Sequence, residues 1–212
     1  MVWKNDYTLY TTDVMVSNNS AKALNAAGGV LVSNSVNITD QEVKNRSLNQ
    51  AMEYLNRAIS IHPNYKNAWL LLGNAHFYLN RFEDAINAYD RSLGIDPSYA
   101  EANKNLPFAL REAGRYAGDV EGNLTKARNY LTRAYNMNPD DSETNRLMGI
   151  LESFTGNHQN AVKYYTRVAQ LTPNDKRGYV LLYQAYKDMG DEQNAEINRR
   201  KALQIDPNAF NQ

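Results

Sequence analysis

"KNAWLLLGNAHFYLNRFEDAINAYDRSLGIDPSY", residues 66–99, decides the fold. Trp69, Leu72, Gly73 and His76 recur every three or four residues, which places them on one face of a helix. Ala85 and Tyr89 mark a second helix, and Pro97 follows its last turn, where it cannot continue the helix. The small residues Gly73 and Ala85 let two antiparallel helices approach closely, and the large Trp69 and Tyr89 fill the gaps between neighbouring pairs.

The same rhythm runs along the chain. Pro63, Pro97, Pro139, Pro173 and Pro207 are spaced by 34, 42, 34 and 34 residues. Twelve residues before each stands Ala51, Ala85, Ala127, Ala161 or Ala195. Five before each is a small residue, Ala58, Ser92, Ala134, Val168 or Ala202. Eight before each is Leu55, Tyr89, Leu131, Tyr165 or Arg199. Such a period predicts repeated helix pairs, none of which buries its face alone, so stability comes from stacking.

A 34-residue period with Trp69, Leu72, Gly73, Ala85, Tyr89 and Pro97 resembles the tetratricopeptide repeat, with His76 where tyrosine is usual. Met148, Gly149, Ala161, Tyr165 and Pro173 give another copy, and Tyr179, Leu182, Tyr186, Ala195 and Pro207 a further one. The resemblance implies an all-α fold, a right-handed tetratricopeptide superhelix (α-solenoid). Its array covers residues 20–209, in units of about 21–65, 66–99, 100–141, 142–175 and 176–209. Residues 1–19 precede it as a capping half-repeat, with Tyr10, Val16 and Asn18 at the slots of Tyr89, Ile95 and Pro97, and 210–212 form a tail. The polar run "EINRRKA" with Arg199 in a tyrosine slot is expected to close the array.

Three irregularities stand out. The unit 100–141 is eight residues longer than the 34-residue units, and "GRYAGDVEGNLTKA", 114–127, places the excess as a glycine-containing loop between its two helices. Such a loop is either a tolerated surface insertion or a lid beside a binding groove. Pro107 falls where Gly73 and Gly149 stand in other units, has no N–H to donate to the Asn103 carbonyl, and predicts a bend or break. In the first unit, Gly28 takes the Gly73 slot and "VNITDQEVKNRSLN", 36–49, is expected to extend one or both helices.

Composition excludes several function classes. Lys plus Arg and Asp plus Glu each number 23, so net charge is zero, which speaks against nucleic acid or an anionic membrane as the main partner. There is no cysteine, hence no thiolate nucleophile, disulfide or thiolate metal site. The longest fully apolar run is "AWLLL", 68–72, far short of the ~20 residues of a membrane helix. His62, His76 and His158 share no metal-ligand spacing, no phosphate-cradling glycine loop is present, and no nucleophile has a base. No cofactor and no catalysis are expected.

What remains is binding. In the family the first helix of each pair lines the concave face, and that implies a groove for a protein or extended peptide. By repeat position it draws on Asn67, Leu70, Asn74, Phe77 and Tyr78, then Glu101, Lys104, Asn105, Phe108 and Arg111. Further on come Arg146, Ile150, Phe154, Arg177, Gln184 and Lys187. The alternative for each is a solvated face of a spacer. Tetratricopeptide co-chaperones hold a C-terminal carboxylate with Lys and Asn, then Asn, then Lys and Arg. Here one series reads Leu70, Asn74, Asn105, Glu143 and Leu147, and the next Lys104, Phe108, Leu147, Arg177 and Leu181. Neither matches.

Trp3, Asp6, Leu9 and Tyr10 in "WKNDYTLY" resemble the segment after the last membrane helix of multi-pass transferases of the protein O-mannosyltransferase type. That resemblance implies a membrane parent with its catalytic part upstream and an extracytoplasmic location. The rival is a free-standing scaffold, cytoplasmic in that case; a third reading gives the fragment an activity of its own. Oligomeric state is not legible.

Overall fold

A computed structural model of the chain describes residues 19–211. The expected half-repeat, with the resemblance on Trp3 to Tyr10, lies outside the described residues. These fold into ten helices and no strand. In order they are α1 (Ala21–Ser35), α2 (Gln41–Ile61), α3 (Lys66–Tyr78), α4 (Phe82–Ile95), α5 (Ala100–Asp119), α6 (Leu124–Met137), α7 (Ser142–Phe154), α8 (His158–Leu171), α9 (Lys176–Asp188) and α10 (Glu192–Ile205). The all-α repeat fold is as the sequence predicts. The chain divides into two compact units, Met1–Ala109 and Leu110–Gln212, with the boundary inside α5.

Within each unit the repeat slots do what their spacing demands. The five alanines twelve before the prolines, Ala51 to Ala195, are all at most 2% exposed. Leu55, Tyr89, Leu131 and Tyr165 are buried, whereas the side chain of Arg199 is 46% exposed and pairs with Glu196. A Cβ on Gly73 would stand 2.5 Å from the Tyr89 ring, and one on Gly149 would overlap Tyr165, so no larger residue fits against either tyrosine. Each tyrosine therefore occupies the space a glycine gives up.

The turns within pairs also repeat. Asn80, Gly156 and Gly190 hold φ of 57°, 78° and 74°, the left-handed C′ conformation that ends a helix. In each case the next amide, of Arg81, Asn157 or Asp191, donates back to the carbonyl five residues earlier, at 2.8–2.9 Å. Between pairs, Trp69 Nε1 donates to the Pro63 carbonyl at 2.9 Å, Asn103 Nδ2 to that of Pro97 at 2.9 Å, and Asn145 Nδ2 to that of Pro139 at 2.8 Å. Asp141 caps α7 through the Thr144 amide, as its place before the helix suggests. Asp96 instead clips its own pair, accepting from Lys66 Nζ at 2.5 Å, and Lys176 and Asp206 repeat this at 2.5 Å. That bond, with those from Ser98, holds the Asp96 carboxyl at about 2.

Two expectations are corrected. The excess of the 100–141 unit is helix, not loop: α5 has 20 residues where α3, α7 and α9 have 13. Seven of the eight extra residues thus make about two helical turns. The eighth widens the turn, where Gly122 takes the left-handed conformation (φ 64°) and the Asn123 amide reaches back six residues to Ala117. Pro107 does not break α5, which runs through it. Because of the two turns, the glycine facing the partner helix is Gly114, whose Cβ would stand 2.6 Å from Leu131. The insertion therefore precedes Gly114 rather than following it. In the first pair both helices are longer, α1 with 15 residues and α2, capped by Asp40, with 21, against 13 and 14 in the next pair.

Candidate functional site

The first unit gathers five of the expected groove residues. Asn74 Oδ1 accepts two hydrogen bonds, from the Tyr89 hydroxyl at 2.7 Å and from Asn105 Nδ2 at 2.9 Å. This triad lies in a pocket of about 170 Å³ that Phe77, Tyr78 and Phe108 also line. Phe77 meets Tyr78 edge-on with ring centroids 6.0 Å apart, and Phe108 is 44% exposed. Burial pushes the Tyr89 hydroxyl well above its ordinary value, so it stays protonated and able to donate. Two turns earlier on α3, Asn67 belongs to a separate set of bonds: it accepts from the Tyr99 hydroxyl at 2.9 Å and donates to Asn25 Oδ1 at 3.3 Å. Among the described residues, no charged side chain lines the pocket.

Other expected residues in this unit behave differently. Leu70, also expected in the groove, is buried, at 5% exposure. Lys104 is exposed on α5 outside the pocket. Tyr89, a core filler by its repeat slot, also ties the core to the site through its hydroxyl.

In the second unit the expected cations are engaged by neighbouring carboxylates. Arg111 lies 3.2 Å from both Glu112 and Asp141, Arg146 2.6 Å from Glu143, and Arg177 2.6 Å from Asp175. The Arg146 hydrogen bond holds the Glu143 carboxyl below its ordinary range. Gln184 donates to Asp188 at 2.8 Å. Ile150 and Phe154 face an apolar slot, with Phe154 76% exposed. The buried Glu152 pairs with Arg128 and accepts from Asn157 Nδ2 at 3.0 Å, a structural ion pair.

The described residues hold no group of three or more His, Cys, Asp or Glu placed for a metal, and no helix long and apolar enough to cross a membrane. His76 faces Asp84 at 3.8 Å and His158 faces Asp188 at 3.9 Å.

Paired helices of 13 and 14 residues, the glycine–tyrosine contacts and the amide-lined face define a tetratricopeptide-repeat module, a class of non-catalytic protein-interaction domains. The chain belongs to the family of the cytochrome c-type biogenesis protein H TPR domain, whose model matches residues 19–179; a tetratricopeptide repeat model matches 177–209. Among curated proteins it is similar to the peroxisomal targeting signal receptors of Candida glabrata (32% identical over 81 residues) and Kluyveromyces lactis (30% over 81). Each match covers 38% of this chain and only 14% of the receptor. Among solved structures it is similar to YrrB, described as a TPR protein with an unusual peptide-binding site (TM-score 0.63, 18% identity, 93% of this chain and 92% of that one). It is also similar to MamA AMB-1 (0.60, 18%, 88% and 92%) and to PilF of Pseudomonas aeruginosa (0.58, 16%, 93% and 82%). At these identities the structural likeness shows the fold.

Proposed function

We propose that the chain is a non-catalytic module that binds an extended, uncharged stretch of a partner protein along the first helices of its pairs, centred on Asn74 and Asn105. The observation that carries this is the direction of the hydrogen bonds. Asn74 is held through its oxygen and Asn105 through its nitrogen. The Asn74 N–H pair and the Asn105 oxygen lie outside the triad, a donor beside an acceptor, which complements a peptide group. A terminal carboxylate only accepts and would meet the Asn105 oxygen without a donor of its own. Aromatic walls at Phe77, Tyr78 and Phe108 suit an apolar side chain next to that peptide group. Peptide binding by YrrB and the targeting-signal role named for the receptors support the reading.

The test compares binding of N-acetylated, C-amidated decapeptides with the same peptides bearing a free carboxylate. Capped peptides are expected to bind as well or better, and Asn74→Ala with Asn105→Ala to weaken them about tenfold or more, since unpaired buried amide partners cost about 1–3 kcal/mol each. A requirement for the carboxylate, or unchanged affinity in the double variant, would contradict the proposal.

We further propose that the module is the interaction domain of a larger, membrane-anchored protein, on the resemblance at Trp3, Asp6, Leu9 and Tyr10. Neither the family nor the relatives named above lend support to a transferase as that parent. Membrane helices encoded directly upstream of Val2 would support a membrane parent, and a natural start at Met1 would exclude it.

A further inference from the structure

The last turn of α5 gives the second unit a feature of its own: Gly118 stands four residues after Gly114, where α3 has Phe77 four residues after Gly73. Gly118 and Asp119 at the end of α5, Leu131 of α6, and Ile150 and Phe154 of α7 line an apolar slot of about 150 Å³. It is open because α5 presents glycines there. A Cβ on Gly118 would meet only Ala127 Cβ, at 3.7 Å. Ile150 and Phe154 are correspondingly 37% and 76% exposed. An engineered cavity of about this size, lined by similar residues, accepts benzene, so the slot fits one large apolar side chain.

The slot's mouth has a sign. Asp119 is the last residue of α5 and Phe154 the last of α7, so two helix C-termini, each carrying partial negative charge, meet there. The Asp119 side chain is 64% exposed and has Arg115 at 3.9 Å, but Arg115 is closer to Glu112, at 3.0 Å. Arg115 also lines the slot, Arg146 is held by Glu143 at 2.6 Å, and Arg128, which donates to Thr155 beside the end of α7, is paired with the buried Glu152, so each of these cations has a carboxylate other than Asp119. The complement of this mouth is a cation.

We propose that the slot is an anchor site for a partner protein, taking one large apolar side chain from a segment that carries a lysine or arginine beside it. The site is independent of the Asn74–Asn105 pocket, and its failure would leave that reading intact, because the two readouts lie in different units.

The test is methyl NMR of the full chain titrated with acetyl-Lys-Phe-amide, acetyl-Glu-Phe-amide and acetyl-Lys-Ala-amide. The Lys-Phe probe is expected to shift the Leu131 and Ile150 methyls. The glutamate probe should bind about threefold more weakly, the size of an exposed ion pair, and the alanine probe about tenfold or more. Asp119→Asn should erase the charge preference. Gly118→Leu fills the slot where there is room for it, so the fold is kept and binding lost. Shifts that persist in Gly118→Leu, or equal binding of both charged probes, would overturn the proposal. So would shifts that follow protein concentration alone, the sign of a second copy in the slot.

Discussion

Gly73 and Gly118 are both helical glycines, with opposite consequences for an added methyl. At Gly73 the methyl enters the Tyr89 ring, so Gly73→Ala is expected to destabilise the chain by about 1–3 kcal/mol. At Gly118 the methyl has room, so Gly118→Ala is expected to stabilise by about 0.5–1 kcal/mol through helix propensity. Urea denaturation of both variants checks the signs; the same sign in each would contradict the packing described. His76 sets a pH dependence. Burial lowers its pKa, against the pull of Asp84 at 3.8 Å and with the push of Arg81. The folded state therefore binds its proton less readily than the unfolded state, for which the value is about 6.5. This contribution is intact above that value and is lost as pH falls through it towards the lower folded value. The drop in stability between pH 7.5 and 5.5 should be smaller in His76→Gln than in the parent chain. An equal drop would mean that His76 is solvated. The sequence showed His76 at a core position, but not the carboxylate that faces it, because Asp84 belongs to another helix.

At the scale of elements, α5 teaches most. Seven residues at about 100° each turn through about 700°, so an insertion of seven returns a helix to nearly the same face. Ala102, Leu106, Ala109, Leu110, Ala113 and Ala117 are all buried and keep that face continuous, a pattern legible in the sequence. The glycines at 114, 118 and 122 pointed instead to a loop, yet only Gly122 adopts a turn conformation. Pro107 sits mid-helix without ending it, although an interior proline costs about 3 kcal/mol in a helix. Removing residues 107–113 joins Leu106 to Gly114, the pairing of Leu72 with Gly73. This deletion is expected to keep cooperative melting, with about seven fewer helical residues by circular dichroism. Removing five residues, 109–113, shifts the face by about 140° and should abolish cooperative melting. Like behaviour of the two deletions would contradict the phase account.

For the whole molecule, the proline ladder carried the fold because the slots it implied, Arg199 of the last helix apart, are buried between helices near in sequence. The site was legible in part. Asn74, Phe77, Tyr78, Asn105 and Phe108 were placed by repeat position and do come together around an uncharged pocket, while Asn67 bonds instead to Tyr99 and Asn25. Repeat position could not show that Arg111, Arg146 and Arg177 are already engaged by carboxylates, since those pairings depend on local rotamers and caps. It also could not separate Leu70, which is buried, from its half-buried neighbours Asn67, Asn74, Phe77 and Tyr78 on the same helix. The central claim is that the Asn74–Asn105 pair reads a peptide group. A crystal structure of the chain with a bound capped peptide tests it most directly. The account predicts one internal peptide group with its carbonyl within about 3 Å of Asn74 Nδ2 and its N–H directed to Asn105 Oδ1. A peptide bound elsewhere, or held there by a terminal carboxylate, would contradict it.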